Sequence, residues 1–132
     1  MEHLEQLKAW LMAFPLWGET MPGVDITGAA PGDCALFPVG LEVLSTREDI
    51  LGNTTATLRQ SFLLRRTAPR GEDAAAWLMA FTRWANENGK TAPVFGLHQV
   101  LRAEKGRLIA PAQTGLGTYE VRLTFEYEKE ND

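Results

Sequence analysis

The sequence contains few of the residues that secreted proteins use for crosslinking or that enzymes use for catalysis. Its 132 residues include one cysteine, two histidines and two serines. A single cysteine excludes an internal disulfide and is typical of a reducing compartment. No apolar stretch approaches the roughly 20 residues that a membrane-spanning helix needs, and the acidic N-terminus does not resemble a signal peptide. We therefore expect a protein that is neither secreted nor bound to a membrane.

Motifs for catalysis or cofactor binding are also missing. His3 and His98 have no cysteine or carboxylate at metal-ligand spacing. Neither Ser45 nor Ser61 lies in a G-x-S-x-G motif. The GKT sequence at 89–91 lacks the earlier glycine of a phosphate-binding loop and follows a predicted helix. We predict that the protein is not an enzyme and binds no cofactor or metal.

Two glycines in the segment TGLGTYEVRLTFEYE at 114–128 raise the question of a phosphate site. A dinucleotide-binding fingerprint needs G-x-G-x-x-G at the start of a helix. Here Glu120 stands in place of the third glycine, and the residues that follow alternate between apolar and polar as in a strand. We predict that Gly115 and Gly117 form the corner of a hairpin.

Length, composition and charge are those of an ordinary globular domain. A chain of 132 residues favours one domain, 1–132, with a single core. Hydrophobic residues make up 45% and charged residues 23% of the sequence, as in typical globular proteins. The formal net charge of -4 argues against a protein that coats nucleic acid. We expect no sequence-specific nucleic-acid binding.

Apolar residues at helical spacing predict two helices. The first covers 3–14, is stopped by Pro15, and presents a stripe of Leu4, Leu7, Leu11 and Phe14. The second runs over about 73–88, with Asp73 as its N-cap and Gly89 after its C-terminus. Its predicted buried face consists of Ala74, Trp77, Leu78, Phe81, Trp84 and Ala85.

Alternating apolar and polar residues predict about four main strands. These strands cover 41–47, 54–66, 97–104 and 118–128, with shorter extended pieces at 24–26 and 34–37. Residues 49–53 are predicted to form a turn, and residues 105–116 a loop. In the last strand the odd-numbered residues from Tyr119 to Tyr127 are apolar, so we expect them to face the core. The predicted fold is α+β, a mostly antiparallel sheet with two helices packed on one face.

The two halves of the chain, about 1–66 and 71–132, resemble each other. AWLMAFPLW at 9–17 nearly repeats as AWLMAFTRW at 76–84, and GNTTATLRQSF at 52–62 aligns with GLGTYEVRLTF at 115–125. Convergence explains this similarity because two helices that cover one sheet need similar side chains; duplication is the alternative. Either origin predicts two helices side by side on four strands.

Charged and apolar residues outside the predicted core are candidates for contacts between subunits. Arginines cluster near the end of the second main strand, glutamates lie on the polar side of the last strand, and the 105–116 loop is rich in apolar residues. A basic patch opposite an acidic face suits a head-to-tail ring, whereas a solvated rim is the alternative for the arginines. The candidate interface residues are Arg65, Arg66, Arg70, Leu108, Ile109, Leu116, Glu126 and Glu128.

Six short segments spread over nearly the whole chain carry a family resemblance. They are FPLWG at 14–18, PGDCALFP at 31–38, REDILGN at 47–53, FLLRR at 62–66, AEKGRL at 103–108 and TGLGTY at 114–119. Together they resemble the small minor capsid or tail-completion proteins of tailed phages and prophages of Gram-positive gut bacteria. The implied fold is similar to that of siphophage tail terminators, an antiparallel sheet flanked by helices.

This resemblance implies a structural role in the virion, with assembly in the host bacterial cytoplasm. Tail terminators form a ring, commonly six-fold, that stops the tail tube and joins it to the head. The implied partners are further copies of the chain, the tail tube protein and a head–tail connector protein, and the family has no catalytic residues to carry over. Two alternatives stay open: a neck or head-closure protein of similar fold, and a small-molecule-binding or enzyme domain whose site lies in the Gly/Pro-rich segment 15–40.

Overall fold

The structure, a computed structural model, describes residues 2–17, 23–24, 34–69, 71–104, 106–111 and 115–131. Across these ranges the chain forms two α-helices, a short 3-10 turn at Gly89–Thr91 and six strands of one sheet. The helices are α1 (Glu2–Met12) and α2 (Glu72–Glu87). The strands are β1 (Gly23–Val24), β2 (Cys34–Glu48), β3 (Thr54–Pro69), β4 (Leu97–Ala103), β5 (Arg107–Pro111) and β6 (Leu116–Asn131). The predicted α+β class is confirmed.

The sheet is built around a long central ladder between β3 and β6. The strand order is β1-β2-β3-β6-β4, and β5 also pairs with β6. The five longer strands are antiparallel, and only the two-residue β1 runs parallel to its neighbour β2. The register of this ladder is unbroken. Its first pair is Thr54 with Asn131, and its last pair is Pro69 with Leu116. The four main strands expected from the sequence correspond to β2, β3, β4 and β6.

Three local predictions were wrong. The pieces predicted at 34–37 and 41–47 are one strand, because a register shift between Pro38 and Gly40 lets β2 continue past the proline. The loop predicted at 105–116 contains β5, whose backbone pairs with β6. Helix α2 begins at Glu72 with Gly71 at the N-cap and no side-chain cap bond, so Asp73 lies in the first turn, where a carboxylate suits the helix dipole. Of the extended piece predicted at 24–26, residues 25 and 26 lie outside the described part of the chain.

The inner face of the sheet forms one side of the core. Even-numbered residues of β3 and odd-numbered residues of β6 point inward, as the alternation predicted for β6. Gln60 is a polar exception on this face, and the Tyr127 hydroxyl donates a hydrogen bond to its Oε1 at 3.3 Å. A partly buried amide that is hydrogen-bonded avoids the cost of desolvation. The pairing with Tyr127 explains how the polar residue is accommodated.

The helices join the core mainly through aromatic side chains. Helix α2 contacts β3 and β4, and α1 packs against α2 through Trp10 on Trp84 (ring centroids 4.8 Å apart) and Phe14 on Phe81 (5.4 Å). The indole N–H of Trp10 also donates to the Asn88 carbonyl at 3.3 Å. The apolar faces predicted for both helices are buried, except that Trp84 is only partly buried.

The register of the central ladder relates the two similar halves of the chain. Ser61 lies opposite Thr124, and these residues also occupy equivalent positions in the two aligned segments. Their neighbours Phe62 and Phe125 are equivalent as well, and their rings meet at the inner face with centroids 6.0 Å apart. This is the arrangement that an approximate two-fold axis perpendicular to the sheet produces. Convergence stays the interpretation of this similarity, with duplication as the alternative.

Candidate interaction surfaces

The outer face of the sheet is dense in paired charges. We call it the charged sheet face. Two shallow cavities of about 630 and 410 Å³ lie along it. Its arginines are Arg59, Arg65, Arg102, Arg107 and Arg122, and its glutamates are Glu42, Glu104, Glu120 and Glu126. The alternation of signs makes this face polar without giving it a single dominant charge.

Several of these charges neutralise each other within the subunit. Arg65 Nε lies 3.0 Å from Glu120 Oε2, and Arg107 approaches the other oxygen of Glu120 at 3.6 Å. Arg59 Nη2 lies 2.9 Å from Glu126 Oε1. These pairs correct the expectation of an acidic face opposite a basic patch, because β3 and β6 are neighbouring strands. Partly exposed pairs of this kind contribute about 0.2–1 kcal/mol each.

Glu128, the other predicted acidic contact, is also held by neighbouring strands. Its Oε2 lies 2.9 Å from Nδ1 of His98 and 3.5 Å from Nη2 of Arg47. The hydrogen bond to His98 lowers the pKa of Glu128 below its usual value, and the charge of Arg47 adds to the effect. Glu128 therefore stays ionised to a lower pH than an ordinary glutamate, and it joins β2, β4 and β6 at one end of the sheet.

Arg66 lies on the opposite face of the sheet from Arg65. Its guanidinium stacks on the Trp77 ring at 4.3 Å, and its burial lowers the pKa of the group. Arg65 instead lies over the ring of Phe37 at 4.6 Å, on the charged sheet face. The expectation of one exposed basic cluster was therefore wrong, since successive strand residues point to opposite sides. Arg70, assigned to the same cluster, lies outside the described residues.

The two arginines should respond differently to the same substitution. Replacing Arg66 with Gln removes the cation–π contact with Trp77 and should lower the free energy of unfolding by about 1–2 kcal/mol. Replacing Arg65 with Gln removes a partly exposed ion pair with Glu120 and a contact with the Phe37 ring, and should cost about 1 kcal/mol because both contacts are open to solvent. Urea unfolding followed by tryptophan fluorescence measures both. A larger loss for Arg65→Gln would contradict the assignment of the two faces.

The turn between β2 and β3 displays two apolar side chains on a rigid backbone. We call residues 49–53 the hairpin tip. Ile50 is 100% exposed and Leu51 is 81% exposed. The Asp49 carboxylate accepts hydrogen bonds from the backbone N–H groups of Asn53 and Leu51, each at 2.9 Å, and these bonds lower the pKa of Asp49. Gly52 supplies the positive φ of +84° that the turn requires. The predicted turn at 49–53 is confirmed.

Strand β2, which leads to the hairpin tip, also carries exposed apolar side chains. Val39, Leu41, Val43 and Leu44 are all exposed. Within the described residues, β1 covers the outer edge of β2 only at Ala35 and Leu36. A strand edge that the described residues leave largely uncovered, and that carries several exposed apolar side chains, is typical of a surface that contacts another protein.

A groove of about 580 Å³ separates α2 from β5. We call it the α2–β5 groove. Leu78, Met79, Leu108 and Tyr119 give it a largely apolar lining, and Arg83 and Arg107 also border it. Gly106 also lines the groove, and a Cβ atom there would lie 2.8 Å from Leu78 Cδ2, so a larger residue would require the Leu78 side chain to shift.

The predicted apolar contact residues fall on different surfaces. Leu108 lines the α2–β5 groove, Ile109 borders a cavity of the charged sheet face, and Leu116 is half-buried at the start of β6. Sequence reasoning treated Ile50 and Leu51 only as turn residues. Two adjacent large apolar residues inside a turn were the signal that it missed.

Of the two glycines predicted to form the hairpin corner, Gly115 lies in the turn before β6, whereas Gly117 is already a paired residue of the strand. Gly115 has a φ of +78°, and Gly117 lies within β6, opposite Ala68. Among the described residues, no group of three or more His, Cys, Asp or Glu side chains is arranged to hold a metal ion. No described helix is both long enough and apolar enough to cross a membrane.

Comparison of the chain with models of protein families and with curated proteins gives no match. The three surfaces defined above are therefore the basis for a functional assignment.

Proposed function

We propose that this protein is a virion structural subunit at the head–tail junction of a phage or prophage. In this proposal it is a tail terminator or close relative that forms a ring on the end of the tail tube. We expect the ring to contain six subunits. The observation that carries the proposal is the exposed apolar surface of the hairpin tip and β2. A surface of this kind, held on a rigid turn, is typical of a site that binds another protein.

The distribution of the surfaces favours a ring. The hairpin tip, the charged sheet face and the α2–β5 groove differ in chemistry, and Arg107 of β5 lies where the charged sheet face meets the groove. Contacts between unlike surfaces of identical subunits are heterologous, and such contacts close into rings when the rotation permits. We further propose that both helices cover the inner face of the sheet, which leaves the charged sheet face available to the tail tube or connector protein.

The test is assembly in the presence of the predicted partner. The full chain is mixed with the tail tube protein encoded nearest to it, and the products are examined by native mass spectrometry and negative-stain electron microscopy. We expect rings of uniform size on the ends of tubes. Only monomers and one-to-one pairs over a wide concentration range would contradict the proposal. Rings that bind the connector protein but not the tube would instead identify a neck or head-closure protein.

A further inference from the structure

We propose that the hairpin tip of one subunit docks into the α2–β5 groove of the next subunit. The occupant of the groove is thus a second copy of this chain, bound through Ile50 and Leu51. This inference rests on the self-assembly in the proposed function and specifies the contact that builds the ring.

The two surfaces are too far apart to meet within one subunit. The hairpin tip immediately precedes Thr54, whereas Tyr119 of the groove lies opposite Arg66. Thr54 and Arg66 are separated by twelve residues of one continuous strand, or about 40 Å at 3.3 Å per residue. A subunit therefore cannot fill its own groove with its own tip, and the contact requires another copy.

The apolar parts of the two surfaces match in chemistry and size. Ile50 and Leu51 are the most exposed large apolar side chains of the described chain. Met79, which is 62% exposed, and Leu108 lie open at the groove. A volume of about 580 Å³ is in the range of pockets that enclose small apolar groups. Docking would remove both sets of exposed apolar atoms from water in one contact.

The charges around the two surfaces are complementary. Glu48 and Asp49 immediately precede the apolar pair on the hairpin. Arg83 borders the groove, and so does Arg107, which also approaches Glu120 of its own subunit at 3.6 Å. The hydrogen bonds that hold the Asp49 carboxylate keep it ionised and also fix the turn. A tip that is already rigid loses little conformational freedom on docking. Acidic and basic residues at the edge of a contact fix its orientation and speed association.

The arrangement also limits the symmetry of the assembly. The tip and the groove lie at opposite ends of the β3–β6 ladder, and each subunit offers one of each. A subunit that uses its tip on one neighbour can offer its groove to another. Repeated in this way, the contact is heterologous and produces a ring or an open filament, whereas reciprocal docking of two subunits would close a symmetric dimer. The end of the tail tube then supplies the template that closes the ring.

Disulfide trapping tests the contact directly. All variants carry Cys34→Ala so that the native thiol does not react, and each variant is the full chain. Equal amounts of Ile50→Cys and Met79→Cys chains are mixed with the tail tube protein and oxidised gently. We expect a covalent dimer in this mixture. The control pairs Ile50→Cys with Leu97→Cys, which is exposed on β4, and should give at most about a tenth of that yield, because a disulfide needs Cβ atoms about 4 Å apart.

A charge exchange tests the same contact without crosslinking. Arg83→Glu should weaken ring formation by about tenfold, because it places like charges at the edge of the contact. Adding Glu48→Arg to the same chain should restore most of the loss. Ile50→Ser should also weaken assembly, and it should leave the melting temperature nearly unchanged because Ile50 contacts only solvent in the isolated subunit. Sedimentation velocity measures the assembly of the wild-type chain and of these three variants.

The outcomes separate this inference from the proposed function. Rings that form normally with Ile50→Ser, and that give no crosslink between positions 50 and 79, would overturn the docking but leave the ring-forming function standing. A crosslink together with rescue of Arg83→Glu by Glu48→Arg would support the docking. If the wild-type chain forms no ring on the tail tube protein, the proposed function fails. A crosslink in that case would still support the docking as a self-contact.

Discussion

Replacing Phe125 with Ala should lower the free energy of unfolding by about 3–5 kcal/mol, from lost burial and the cavity left behind. The Phe125 side chain is 0% exposed. Its ring meets Phe95 edge-on at a centroid distance of 4.8 Å and Phe62 at 6.0 Å. A small domain has only about 5–15 kcal/mol in total, so a large decrease in melting temperature should accompany the change. Calorimetry and urea unfolding measure both quantities.

The matched control is the next residue, Glu126, which points to the charged sheet face. Replacing it with Lys breaks the pair with Arg59 and should cost no more than about 1 kcal/mol in the isolated subunit. If Glu126→Lys unfolds the domain and Phe125→Ala has no effect, then β6 is out of register by one residue. Normal folding of Glu126→Lys with impaired assembly would place Glu126 in a subunit contact, as predicted from the sequence.

Replacing Phe81 with Ala should cost a similar amount, about 3–5 kcal/mol, and should also loosen α1. Phe81 is 0% exposed and stacks on Trp77 at 5.3 Å within α2. Phe14 and Trp17, which follow α1, contact the same ring at 5.4 and 6.1 Å. Because α1 packs on α2 largely through these aromatic rings, its backbone amides should exchange faster with solvent. Hydrogen exchange measured by mass spectrometry reports this loss of protection.

Met79 provides the control on the same helix. It is 62% exposed, and replacing it with Ala should change stability by no more than about 0.5 kcal/mol. If Phe81→Ala raises the rate of amide exchange equally across the whole domain, and not more in α1, then the Phe81 ring does not hold α1 in place as proposed. A larger stability loss in Met79→Ala than in Phe81→Ala would contradict the orientation of α2.

The features predicted correctly are those that depend on neighbours along the chain. The alternation of apolar and polar residues along β6 predicted which of its side chains face the core. The helical spacing of apolar residues predicted the buried faces of α1 and α2. The turn at 49–53 followed from Asp49 and Gly52, whose side-chain hydrogen bonds and positive φ are local properties. Each of these features is encoded within about ten consecutive residues.

The features that were missed depend on residues far apart in sequence. Strand β5 exists because the backbone of 107–111 finds partners on β6, which no pattern within 105–116 reveals. The arginines of β3 and the glutamates of β6 were placed on opposite surfaces, yet the β3–β6 pairing brings Arg59 to Glu126. Arg66 was predicted to be a surface charge, but its guanidinium stacks on Trp77 of α2, a residue far from it in sequence.

The amino-acid sequence by itself determined the class of this fold, the phase of its longest strand and the buried faces of its helices. These follow from backbone periodicity and from the burial of apolar side chains. Only the tertiary structure decided which surfaces remain available for binding. The charges of β3 and β6 pair within the subunit, whereas Ile50 and Leu51 stay exposed beyond the end of the core. A side chain's exposure depends on all the chain segments that approach it, and the approach of distant segments is a property of the folded chain.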